Sequence, residues 1–148
     1  MIDDLYSGRI LKLAANMPHA GRLAAPDASA EKVSKLCGSK ITVDVVVEGG
    51  VVADFAQDVR ACALGQAAAA ILGEHALGAS LAEIEVARDA LRAMLKADGP
   101  PPQGRFSELV VLAPVKDYPA RHASTLLAFE AAVEAVRAAG RTSRAGAA

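Results

Sequence analysis

"SKITVDVVVEGGVVADFAQDVR", residues 39–60, is the stretch whose reading decides the fold. Ile41, Val43, Val45 and Val47 alternate with Thr42, Asp44 and Val46. Beyond Glu48-Gly49-Gly50, residues Val51, Ala53, Phe55, Gln57 and Val59 alternate with Val52, Asp54, Ala56, Asp58 and Arg60. A period of two sends successive side chains to opposite faces of a strand. Two such runs joined by a Gly-Gly turn predict an antiparallel hairpin with one buried face. Residues 30–36, "AEKVSKL", add a third, weaker strand ahead of it.

Around this hairpin the pattern turns helical. Ile2, Leu5, Tyr6, Ile10, Leu13 and Met17 recur at spacings of three and four, one apolar stripe that Pro18 stops. "PHAGRLAAPDAS" follows as a loop. "CALGQAAAAILGEHAL" has no strand alternation and is rich in the best helix former. "SLAEIEVARDALRAMLKADG" opens with Ser80 and Glu83 in capping-box spacing and ends at Gly99-Pro100. "PPPQGRF" reads as a surface loop, and "SELVVLAPV" is too short to assign. From about Ala120 to Ala139 a long helix carries Leu126, Phe129, Val133 and Val136 on one face. The order predicts an α+β domain, a small antiparallel sheet of about three strands with helices on one face. The expected organisation is one domain over residues 1–140 and a frayed tail over 141–148.

The chain has 148 residues, enough for one compact core, and is 53% hydrophobic, which argues against disorder. Basic and acidic residues number 16 and 17, with no basic stripe interleaved with aromatics, so nucleic acid is not an expected partner. The acidic opening "MIDDLYSG" lacks the regions of a signal peptide, and no apolar run reaches the roughly 18 residues that span a bilayer. The expected location is the cytoplasm. Two cysteines in such a compartment are more often reactive, metal-binding or buried than disulfide-bonded.

Chemistry centres on Cys37, Cys62 and three histidines. Cys62 follows the second hairpin strand and begins the alanine-rich helix. A thiol there feels the positive end of the macrodipole and unpaired N–H groups, which favour the thiolate, the form that attacks and ligates. A lone cysteine is also commonly a small buried hydrophobe, and position alone leaves both readings open. Antiparallel pairing brings the residues before Ile41 near those after Val59, so Cys37 and Cys62 are expected at the same end of the sheet. Two ligands do not make a metal site, which needs three or four. His122 opens the last helix; His19 lies in a loop and His75 at a helix end. Phosphate loops, HExxH and G-x-S-x-G contexts are absent.

Three segments in order resemble the U-type iron–sulfur cluster scaffolds: the NifU N-terminal domain, IscU and SufU. "LCGSKITV" is similar to their C-G-D motif before a strand, and "ACALGQAAA" to a cysteine that begins a helix. "HASTLLAFEAAVEAV" resembles H-C-S-x-L at the head of a long helix. The opening "LYSGRILKLAANMPHAGRL" also resembles the family's first helix, with Met17 in place of the asparagine before proline. The stretch "GPPPQGRFSELVVLAPVKDYPAR" is closer to the SufU branch. The resemblance covers about residues 3–138 and implies a non-enzymatic scaffold-like protein. It would hold a transient [2Fe–2S] cluster or zinc and interact with a cysteine desulfurase and other assembly proteins, as a monomer or weak homodimer.

Carried over residue by residue, Cys37, Cys62 and His122 match metal ligands. The aspartate of C-G-D is Ser39 here, and the third cysteine falls on Ala123, the preferred register, or on Ser124 without a gap. Ser39 and Ser124 are therefore weaker candidates. Clusters are held mostly by four thiolates, whereas zinc accepts two cysteines, a histidine and water. The alternative is a divergent paralogue with a degenerate site that acts as a binding or regulatory module. Sulfur transfer through Cys62 ranks last.

Overall fold

A computed structural model describes residues 7–35 and 38–147, without the side chains of 141–147. The predicted hairpin is present. Strand β1 is Ala28–Ser34, β2 is Ser39–Glu48 and β3 is Val51–Arg60, paired antiparallel in the order β1-β2-β3. Gly49 and Gly50 both have positive φ, +62° and +81°, as a two-residue hairpin turn of this hand requires. Ile41, Val43 and Val45 face the core with no exposure.

The alternation in β3 breaks where the register shifts between Val46 and Val47. Val47 pairs with Val52 while Val46 pairs with Asp54, so Ala53 is the extra residue of a bulge. Val52 turns into the core and Ala53 out, reversing the faces expected for the first turn of the strand.

Helix α1 is Gly8–Ala15, α2 Ala63–His75, α3 Leu81–Lys96 and α4 His122–Ala147. The beginning of the predicted first helix, Ile2, Leu5 and Tyr6, lies outside the described residues. Ser80 and Glu83 form the expected reciprocal capping box of α3. Helix α4 runs through Ala147, taking in most of the stretch expected as a tail.

The helices cover one face of the sheet. Helix α4 lies on β1 and β2 and also meets α2 and α3. Helix α2 packs against α1, α4 and β3. Ala67, Ala68, Ala69, Ala70, Ile71 and Leu72 have no exposure, because an alanine surface lets neighbours approach from every side. Gln57 of β3 is also buried beneath α2 and donates from Nε2 to the Ala69 carbonyl at 2.8 Å.

The segment expected as a surface loop and an unassigned run is a 3₁₀ stretch, Gly104–Asp117, kinked at Phe106, whose φ −106° and ψ 26° are not helical. Phe106, Leu109, Leu112 and Val115 are all buried. Their spacing of three is the 3₁₀ period, in which i and i+3 eclipse, so neither helix nor strand periodicity registered it. Phe106 is thus corrected from loop to core, where its ring meets Phe129 edge-on at 5.3 Å.

The opposite face of the sheet carries one buried charge. Asp44 accepts from Arg22 Nε at 2.6 Å and Nη2 at 3.0 Å, from the Leu23 N–H at 3.0 Å and from the Ser29 hydroxyl. These bonds tie the loop after α1 to the middle of the sheet. Burial alone would raise this carboxyl; the hydrogen bonds from Arg22, Ser29 and Leu23, with the charge of Arg22, outweigh it and hold it below its usual value. A depressed folded value stabilises the fold above the unfolded value of about 3.9, and that contribution disappears as pH falls through the folded value. Asp44→Asn is expected to lower stability at pH 7 by about 2 kcal/mol and to flatten the loss of stability below about pH 4. Urea unfolding at pH 7 and pH 3 checks it; equal differences at both pH values would remove the linkage.

Candidate functional site

Cys62 ends the turn out of β3 and is the N-cap of α2, in extended backbone with φ −67° and ψ 170°. Its side chain makes no capping bond. Cys62 Sγ instead lies 3.5 Å from Ser124 Oγ. Ser124 is in the first turn of α4, 1% exposed, and its hydroxyl donates to the Arg121 carbonyl at 3.2 Å. The N-terminal turns of α2 and α4 therefore converge, each offering one side chain of the thiol–hydroxyl pair.

Gly65 permits that convergence. A Cβ there would stand 2.9 Å from Ala61 Cβ and 3.0 Å from the Ser124 carbonyl oxygen. Both neighbours are attached to ordered backbone, so the helices would have to separate. Gly65→Ala gains about 1 kcal/mol of helix propensity and loses about 2 kcal/mol to overpacking. The expected net result is a melting temperature lower by about 3 °C together with a wider Cys62–Ser124 gap. A thermal melt that shows equal or greater stability would contradict the close approach.

Ala123, where the preferred register put the family's third cysteine, is exposed, and Ser124 is the residue turned to Cys62. Adjacent positions on a helix point about 100° apart, so only one of them can face α2. Of the two registers, the ungapped one puts its residue beside Cys62. His122 is buried, with Nε2 at 2.9 Å from the Val115 carbonyl and 3.2 Å from that of Lys116. A carbonyl can only accept, so Nε2 carries a proton.

Ser39 is 3% exposed and pairs with Ser34 across β1 and β2. Cys37 lies outside the described residues. Among the described residues, no group of three His, Cys, Asp or Glu side chains gathers at Cys62. The donor set at this end is one described thiol, a neutral hydroxyl and a buried imidazole. A hydroxyl is a hard, protonated donor and a poor substitute for a thiolate on zinc or a cluster. Four-thiolate ligation does not fit this end; a mixed thiolate–imidazole set suits zinc better.

Among the described residues, one three-donor group occurs elsewhere, at the far end of α2: Glu74, His75 and Glu108. In the sequence His75 reads as an isolated histidine, because Glu108 is 33 positions away, in the 3₁₀ stretch whose period neither helix nor strand shares.

Comparison with known proteins agrees with the fold. The family model for the NifU-like N terminal domain matches residues 5–125. The iron–sulfur cluster assembly scaffold protein IscU of Thermotoga maritima is 28% identical over 133 residues, 90% of this chain and 93% of that protein. The crystal structure of a nitrogen-fixing NifU-like protein (N-terminal) from Brucella abortus is 50% identical, with a TM-score of 0.92 over 95% of this chain and 97% of that one. An assembly scaffold described for the SUF system of Fervidobacterium islandicum shares the fold at 19% identity, with a TM-score of 0.83 over 90% and 98% of the two chains. No helix among the described residues is long and apolar enough to cross a membrane.

Proposed function

Because this chain belongs to the NifU-like N-terminal domain family, we propose that it serves iron–sulfur cluster assembly as a scaffold-like protein. It receives iron, a nascent cluster or zinc as cargo at the end of the sheet where α2 and α4 converge. Cys37, Cys62 and His122 are the ligands of this reading, and a cysteine desulfurase is the partner that supplies sulfur. The observation that carries it is Cys62 at the N-cap of α2, with Sγ facing the head of α4. The name of the Thermotoga relative supports the same role. Two thiols and an imidazole leave one position open, so a cluster completes its ligation with a group from outside this chain.

Anaerobic reconstitution with iron and sulfide, alongside zinc titration of the apo-protein, tests the metal role. Stoichiometric uptake that is lost in C37A/C62A is the expected result. Failure to bind either metal, or unchanged uptake by the double variant, would sink it.

The hydroxyl of Ser124 against Cys62 favours a second reading. Here the fold is kept as a docking module on the assembly machinery, and metal is dispensable. Retention of desulfurase by metal-free C37A/C62A in a pull-down supports this module; loss of binding in that variant opposes it.

A further inference from the structure

We propose that Glu74, His75 and Glu108 form a second divalent-cation site, built from nitrogen and oxygen donors at the opposite end of α2 from Cys62. It takes a borderline first-row ion such as Fe²⁺, Mn²⁺ or Zn²⁺, and it does not depend on the reading of the Cys62 end. Thirteen helical residues separate the two ends by about 18 Å, so the two sites cannot share an ion.

The geometry carries this assignment. One ligand atom from each of the three side chains lies within 4.8 Å of the other two. His75 Nε2 stands 3.6 Å from Glu108 Oε1 and 3.9 Å from Glu74 Oε2. An ion held tetrahedrally at about 2.1 Å needs donors about 3.4 Å apart, so small side-chain movements close the site. The three donors are an imidazole and two carboxylates from two separate elements, α2 and the 3₁₀ stretch. The face of the His75 ring is fixed by an edge-on contact with buried Phe106.

Arg9 completes the arrangement. Its Nη2 binds Glu108 Oε2 at 2.9 Å. That bond occupies one carboxylate oxygen and leaves Oε1 turned to His75, as partners behind a metal ligand do. Glu74 and Glu108 border a cavity of about 480 Å³ with Gly8, Leu13 and Asn16, which has room for water ligands. Arg9 and Lys12 also line it.

The test is a Co²⁺ titration of the full chain carrying C37S/C62S, which silences the thiol end. One equivalent is expected to bind, with weak visible d–d absorption and no thiolate-to-cobalt charge-transfer band. Adding His75→Ala or Glu74→Gln is expected to weaken binding by about tenfold or more. Glu74 is exposed, so Glu74→Gln leaves the fold intact, and a matching circular-dichroism melt confirms it. No cobalt uptake by the cysteine-free chain, or undiminished uptake by folded Glu74→Gln and His75→Ala, overturns the proposal.

Discussion

Ser124→Cys is expected to raise zinc affinity by about two orders of magnitude. The structural zinc of a four-ligand site is worth about 10–16 kcal/mol, so one added thiolate contributes about 3 kcal/mol, or about a hundredfold. The position suits the change. Ser124 Oγ is 3.5 Å from Cys62 Sγ, and two sulfurs on one tetrahedral zinc stand about 3.8 Å apart at bonds of about 2.3 Å. The same substitution at Ala123 is expected to do nothing, because that side chain faces solvent. Competition with a chromophoric chelator under reducing, anaerobic conditions measures both. Equal affinities for wild type and Ser124→Cys would remove Cys62 from the ligand set; a gain at Ala123→Cys would reverse the register.

Phe129→Ala is expected to destabilise the fold by about 4 kcal/mol, a fall of roughly 10 °C in melting temperature. Phe129 has no exposure and packs edge-on to Phe106 at 5.3 Å. Helix α4 is the element that touches β1, β2, α2 and α3, so a void there has no side on which to collapse. The effect extends to the site, because α4 also carries Ser124 and His122. Phe129→Leu retains most of the volume and is expected to cost about a third as much. Urea midpoints of the two variants decide it, and a loss below about 1 kcal/mol for the alanine would show that the ring is not a core element.

Much of the architecture was legible because local chemistry and tertiary packing agree. The Gly49-Gly50 turn, the strand alternation from Ile41 to Val45 and the Ser80–Glu83 box each declare their structure within a few residues. The exceptions have physical causes. The bulge at Ala53 moved Val52 inward because register is set by pairing across strands rather than by one strand's pattern. Phe106, Leu109, Leu112 and Val115 repeat every three residues, a period shared by neither α-helix nor strand. Helix α2 is apolar all round, so its sequence announced burial but not which side met α4.

For the site, the chain alone placed Cys62 at a strand-to-helix junction and His122 and Ser124 at the head of a long helix. Those placements follow from periodicity, breakers and helix propensity, which act over a few neighbours. Which of Ala123 and Ser124 meets Cys62 depended on the rotation of α4 against α2. The close approach at Gly65 and the union of Glu74, His75 and Glu108 likewise come from contacts between distant segments. Such facts are decided by how finished helices and strands pack, because side-chain direction relative to another element is a property of neither segment by itself.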